Sequence, residues 1–467
     1  MKYIYSLLLL FSVLFARGQT PYSGTLPVFF INTENGDSIK SKEEYIPAKY
    51  YIETFGHEGF DDVGSKEQPL DLLIRGRGNY TWKRFEKKPY KIKFDKKTEL
   101  LGMKSNKHFA LLSHPDDTTG FFRNTVGFEL SRMMGMEWTP EQRPVEMMLN
   151  GEYRGLYFLT ETVRPGKNRV NIEEQVNYET NPEKVKGGWL VEIDNYVVDN
   201  QLTLISGAYG RLLRLTYHSP DSLSDVQSDW LSKEFMTILR LISNNDVQNR
   251  QWEDYLDIES LVKFAIVTEI TANQEAFWGS CFLYKANPEV KWKFGPAWDF
   301  GWAFIDHPNE FTWVNNHFGK TLIYAFPKYS SFQAKIKEVW KIFYKDKYPL
   351  LNDYIDRFAD EISIAIQHDY NRWPELSGGA NSYVLAEKVK GWLHNRISWL
   401  NKQWSETTNI NEISKTGGKY RLYDITGKKI GLFQSLSDIY RLKLPHGIYI
   451  VNEESNDGLI TNRKVFL

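Results

Sequence analysis

The chain has 467 residues, with 58 Lys and Arg against 59 Asp and Glu, nine His and a formal net charge of -1. That length exceeds one core of ordinary size, so two or three folding units are expected, and the balanced charge excludes a whole-molecule field that would hold nucleic acid or an anionic membrane. The single cysteine, Cys281, excludes an intramolecular disulfide and any cysteine-cluster metal site.

The first residues, MKYIYSLLLLFSVLFARGQT, join Lys2 to an apolar run from Ile4 to Phe15 and the small residues Ala16 and Gly18. This pattern predicts a secretory signal over residues 1–18, too short to span a membrane. Residues 19–200 read as strand-rich: TLPVFFIN, EEYIPAKYYIET, LDLLIRGRGN, KKPYKIKF, PVEMMLNG, EYRGLYFLTE and GGWLVEID are separated by Asn, Gly, Asp and Pro turns. One helix, TGFFRNTVGFELSRMMG, interrupts them and closes on Gly135. Residues 201–405 become helical from about Ser222. There Asp257 is an N-cap candidate, and Ile258, Leu261, Val262 and Ala265 follow it at one-face spacing. Aromatics reach 15% of the chain, and their alternating or helical placement assigns them to cores ahead of stacking platforms.

A polar linker, 406–417, precedes a β-rich tail, 418–467, whose segments KYRLYDITGKKIG, YRLKLPHGIYIVNE and LITNRKVFL alternate like strands of a small sandwich. Through LYDITGKKI, GIYIV and KVFL the tail resembles the carboxy-terminal sorting domain of type IX secretion; an ordinary terminal β-domain is the alternative. The leader and the tail together lead us to expect a secreted or cell-surface protein that passes through the periplasm.

Chemistry concentrates in the helical section. A helix ends near Asn273, a loop carries Glu275, the segments SCFLYK and VKWKFGPAW form a hairpin, and Asp299 comes off its end before Phe300 and Gly301. Protein kinases use this order of parts: catalytic loop, hairpin, metal-binding Asp. Phosphoryl transfer needs a carboxylate for a divalent metal, a cation for the phosphates and an acceptor for the hydroxyl proton. Asp299 suits the first role, Glu275 the last, and a lysine of KKPYKIKF the second. Alternation separates Tyr90, Ile92 and Phe94 from Lys91 and Lys93, and of the two lysines Lys91 is the first choice. Both also fit a solvated strand face.

The segments RGRGNYTW, KKPYKIKF, LLGMKSNKHFALLSHPDDTTGFFRNTVGFELSR, LNGEYRGLYFLTE, GGWLVEID, ANQEAFWGSCFLY and WKFGPAWDF run in order over about residues 70–305. Together they resemble the spore-coat H (CotH) kinase family. The resemblance implies an α+β, atypical protein-kinase-like fold of two lobes, β-rich then helical, followed here by the small β-sandwich tail. It also implies ATP and Mg2+ or Mn2+ as cofactors, and serine of an extracytoplasmic protein as acceptor. In the family pattern Asn273 is matched and Asp299 falls on the metal Asp, but Glu275 replaces an Asp and Ser280 replaces an Asn. Ser280 is thereby a second candidate metal ligand. The two departures also support a rival expectation, a weak or inactive kinase scaffold serving as a surface binding or adhesion module. Arg77, with Arg75, could reach phosphates, although the flanking glycines first mark a turn. Glu129, on the predicted helix, is a candidate partner for the strand lysine, as in kinases. Asp116 and Asp117 read as helix-capping residues, and His108 and His114 as ordinary structural ones. The oligomeric state is not expressed in these patterns.

Overall fold

The computed structural model describes residues 21–57, 59–206, 211–305, 309–376 and 378–405, together with most of 419–466. The chain divides into two compact units, Met1–Trp404 and Ser405–Leu467. The expected signal segment, 1–18, and the linker, 406–417, lie outside the described residues.

In the first unit seven strands close into a barrel: β1 (Val28–Thr33), β2 (Ile46–Glu53), β3 (Leu70–Gly76), β4 (Tyr90–Leu100), β5 (Met103–Leu112), β6 (Gln142–Leu149) and β7 (Glu152–Glu161), in the order β1-β2-β3-β4-β5-β7-β6. Neighbours are antiparallel except β1 and β6, whose parallel pairing shuts the barrel. Alternation builds its interior. Ile74, Ile92, Phe94, Phe109, Leu111, Tyr157 and Leu159 fill one apolar cluster, which leaves Lys91 and Lys93 on the outer face.

The outer face of β5 and β7 is not solvated. Ala110, Leu112, Leu156 and Phe158 belong to a second, larger core, which also takes in a five-stranded sheet and most of the helices. That sheet runs β12-β11-β8-β10-β9, from β8 (Trp189–Ile193), β9 (Gln201–Ser206), β10 (Arg211–Ser219), β11 (Cys281–Lys285) and β12 (Lys293–Phe294). The helices are α1 (Tyr80–Arg84), α2 (Phe122–Met133), α3 (Asp225–Ile242), α4 (Ile258–Thr271), α5 (Ser330–Ile342), α6 (Tyr348–Glu361), α7 (Ala365–Arg372) and α8 (Ser382–Trp404).

The class is therefore α+β, β-rich first and helical later, with three strands that the alternation reading does not assign: β5, β9 and β10. The expected hairpin is present, with Leu283 opposite Phe294 and Tyr284 opposite Lys293. Asp257 accepts the Ser260 N–H at 2.7 Å as N-cap of α4, and Gly135 takes φ +67 just past α2. One expectation is corrected: α4 buries residues on every side, Leu261, Val262, Phe264, Ala265, Ile266, Val267 and Ile270 among them, because it is a central rod and not a surface helix with one apolar stripe.

In the second unit β13 (Lys419–Asp424), β14 (Lys429–Phe433), β15 (Ile448–Glu454) and β16 (Ile460–Phe466) form a single antiparallel sheet, β14-β13-β15-β16. A sandwich would need a second sheet; among the described residues Ile439 packs with Leu422, Tyr449 and Val451 in that role. No helix of the described residues is long and apolar enough to cross a membrane.

Candidate active site

Two loops carry the candidate acids, and both are held in unusual backbone. Helix α4 stops where Ala272 turns left-handed, and beyond it Phe277, Ser280, Asp299 and Phe304 take φ of 64°, 52°, 63° and 58°. Such non-glycine residues cost about 1–3 kcal/mol each and persist only where the surroundings over-determine them. Here the surroundings do so. The Asn273 amide donates to the Asp299 carbonyl at 2.9 Å, so the two loops are bonded to each other. The Gly301 N–H donates to Asp299 Oδ1 at 3.1 Å and fixes the carboxylate.

Helix α2 grips the segment just past Asp299. The Phe300 N–H donates to Asn124 Oδ1 at 2.8 Å, and Arg123 Nη1 donates to the Gly301 carbonyl at 2.7 Å. The Phe300 ring lies against Gly127, where a Cβ would come within 2.5 Å of it. Phe128 meets the same ring edge-on at 5.9 Å. Asp117, expected as a cap, does hold the first turn of α2 by accepting the Arg123 N–H at 3.1 Å, although Phe121 occupies the cap position itself.

The electrostatics join the loops into one site. Burial, and then the negative charges of Asp299, Asp194 and Glu192, push the Glu275 carboxyl up to about 8 against a hydrogen bond from Asn195. Asp194, which follows β8, is pushed up to about 6 by burial and by Glu192. Asp116, before α2, reaches about 6 through burial and the charges of Asp299 and Asp117. Four separate segments thus bring carboxylates to a place where they disfavour one another's ionisation, which a bound cation would relieve.

The pH dependence follows. The folded protein keeps a proton on Glu275 from 4.5 to about 8, whereas the unfolded chain releases it near 4.5. The unfolded state therefore binds fewer protons in that window, and the stability that Glu275 contributes falls as pH rises through it. In metal-free protein Glu275→Gln is expected to remove this loss. Melting temperatures of the two proteins should diverge, with the variant gaining, between about pH 5 and about pH 8; parallel curves would contradict the burial of a protonated Glu275.

The basic candidates stand on the barrel side. Burial, then the cations Arg164, Arg75, Arg77 and Lys93, push the Lys91 ammonium down to about 8. Lys93 is one of those cations and shares the outer face of β4. The Arg77 guanidinium lies over the Trp298 ring at 5.5 Å and feels the Asp299 charge, which connects the basic face to the acids. Glu129 stands apart. Its carboxylate accepts from Arg132 Nε at 2.9 Å, and the charges acting on Lys91 are cations. Ser280 is half-buried at the entry to β11, in a left-handed conformation that Asn adopts more readily than Ser.

Among the described residues no group of three or more His, Cys, Asp and Glu is arranged as a metal cage. A hard divalent ion of the Mg2+ type does not require one, since it uses one or two protein carboxylates and fills its shell with water and phosphate oxygens. The donor types present in these loops, carboxylates and a serine hydroxyl, fit such an ion. The family model for CotH kinase protein matches residues 74–400, which takes in every loop of this site. The chain belongs to the CotH kinase family. No curated protein matches it. Membership supports a kinase as the class of enzyme and implies ATP, a divalent metal and a protein substrate.

Seen from the family's chemistry, the pattern of motifs finds Glu275 and Asp299 and misses Glu192, Asp194, Asn195 and Asp116. Asp194 carries the signal used for Asp299, an acid at the end of an apolar strand. Asp116 was hidden by a sound capping motif.

Proposed function

We propose that this protein is an exported atypical protein kinase that transfers the ATP γ-phosphate to a serine hydroxyl of a protein on the cell surface or outside the cell. In this reading the barrel and the helical region are the two lobes of a kinase-like fold. Residues 1–18 are a secretory signal, and the tail is a type IX sorting domain. What carries it is the coupling of Glu275 to Asp299 across two bonded loops in a chain of this family.

Asp299 would hold the divalent ion, with the Ser280 hydroxyl as a neutral second oxygen. The ion screens phosphate charge when bound. Lys91, Lys93 and Arg77 hold the phosphates and orient the terminal one. The serine oxygen bonds to the γ-phosphorus as the bond to ADP breaks, and Glu275 accepts the serine proton. Glu275 must be ionised for this, so neutralising the Asp299 charge beside it is part of preparing the base.

A second reading is a scaffold that binds partners without efficient transfer. The raised Glu275 carboxyl, on a side chain one methylene longer than Asp, favours it, since a misplacement of about 1 Å can cost about a hundredfold in rate. Titrating ATP with Mn2+ while following thermal unfolding tests the kinase reading, because a ligand at a hundred times its Kd stabilises by about 2.7 kcal/mol. A shift together with transfer of labelled phosphate to serine supports the kinase. Absence of both removes it.

A further inference from the structure

The outer face of β3, β4 and β5 holds more positive charge than the roles above use. Arg75 sits opposite Lys91 across β3 and β4, and Lys93 sits opposite His108 across β4 and β5. Their inner neighbours Ile74, Ile92 and Phe109 fill the barrel, so all four project outward. Thr162 lies next in this row, its hydroxyl donating to the His108 carbonyl at 3.4 Å, and Arg164 follows on the segment leaving β7. Arg164 acts on Lys91 and on His108 alike, which places it over the same patch.

Counter-charge is scarce. Glu43, itself exposed, approaches Arg75 at 3.9 Å. Among the described residues no carboxylate comes within the 4.0 Å of an ion pair to Lys91, Lys93, Arg77 or Arg164. Two ring or guanidinium nitrogens of the patch, Arg75 Nε and His108 Nδ1, are buried without a hydrogen-bond partner among the described residues. Crowded cations and unmatched donors are costly unless an anion completes them. From strand geometry the patch extends about 7 Å along β4 and about 14 Å across the strands from β3 to β7, which suits several phosphoryl groups in line and not one.

We propose that this face is a binding site for a linear polyphosphate chain that operates without a divalent metal, with Arg75, Arg164 and His108 joining Lys91 and Lys93 as donors. It rests on the kinase reading only in that Arg77 leads from this face toward Asp299, where the terminal phosphate of ATP would lie. The base and the sugar contribute nothing to this part of the recognition.

The test is calorimetric titration of the intact protein with sodium tripolyphosphate in EDTA. Saturable binding is expected, weakened about tenfold or more for each of Arg164→Ala and Lys93→Ala, as loss of a charged hydrogen bond predicts. Circular dichroism melts of the variants identify any loss that comes from unfolding, and a charge-preserving Arg164→Lys should recover part of the affinity. Binding that requires Mn2+, or that Arg164→Ala and Lys93→Ala leave unchanged, overturns the proposal. The two readings fail separately: ATP with Mn2+ that binds while tripolyphosphate in EDTA does not removes this site alone, and the opposite result removes the kinase and leaves the site.

Discussion

Asp299→Asn is expected to abolish the Mn2+-dependent part of ATP binding and to lower serine phosphorylation by about a hundredfold to a thousandfold, the scale of losing one preorganised electrostatic group. The substitution isolates charge from shape. Asn keeps an oxygen for the Gly301 N–H, and the backbone bonds from Asn273 and to Asn124 do not involve the side chain of residue 299. The loop should therefore hold. Removing this negative charge also withdraws the strongest of the charges that raise the Glu275 carboxyl, so in metal-free protein the titration of Glu275 should move down. Stability near neutral pH should be unchanged or higher. A purified variant with an unaltered melt and a rate within about threefold of the wild type would show that the chemistry does not depend on this carboxylate.

What could be read in the residues and what could not divides along burial. Strand β4 was legible because one face is apolar and the other carries Lys91 and Lys93. Strand β5 was not, since Phe109 and Leu111 enter the barrel while Ala110 and Leu112 enter the larger core, and a strand covered on both faces shows no alternation. Strands β9 and β10 do alternate, with Leu213 and Leu215 buried and Leu212 exposed, but no motif drew attention to residues 194–222. The same holds for the site. Glu275 and Asp299 stood in recognisable local patterns, whereas their coupling to Asp194 and Asp116 and the grip of α2 on Phe300 arise from contacts between distant segments. Glu129 shows the opposite error. Its place on the helix suggested a reach to the strand lysine, yet Arg132, three residues on, is its partner, as i,i+3 spacing favours.

Arg396→Met is expected to cost about 3–5 kcal/mol of stability, the usual penalty for stripping one partner from a buried ion pair. Arg396 and Glu269 are both essentially inaccessible, with Nη2 and Oε2 2.6 Å apart. The guanidinium also donates to the carbonyls of Glu269 and Glu310, each at 2.6 Å. Glu269 in turn accepts the Thr312 N–H at 3.0 Å and the Thr312 hydroxyl. The pair thus ties α8 to the last turn of α4 and to the segment beyond Asp299, so it underlies both acid-bearing loops. Burial disfavours the ionised form of each member, with the other's charge opposing that cost. Met fills the volume of the Arg stem but leaves Glu269 to take up a proton or remain charged in the core, and it withdraws the guanidinium donors from the carbonyls of Glu269 and Glu310. Adding Glu269→Leu should recover part of the loss and not all of it, because the Thr312 N–H is then left without its acceptor at about 1–3 kcal/mol. Urea unfolding of the two variants measures both numbers. A single variant that loses less than about 1 kcal/mol, or a double variant no more stable than the single, would mean that the pair does not bear on the placement of the loops.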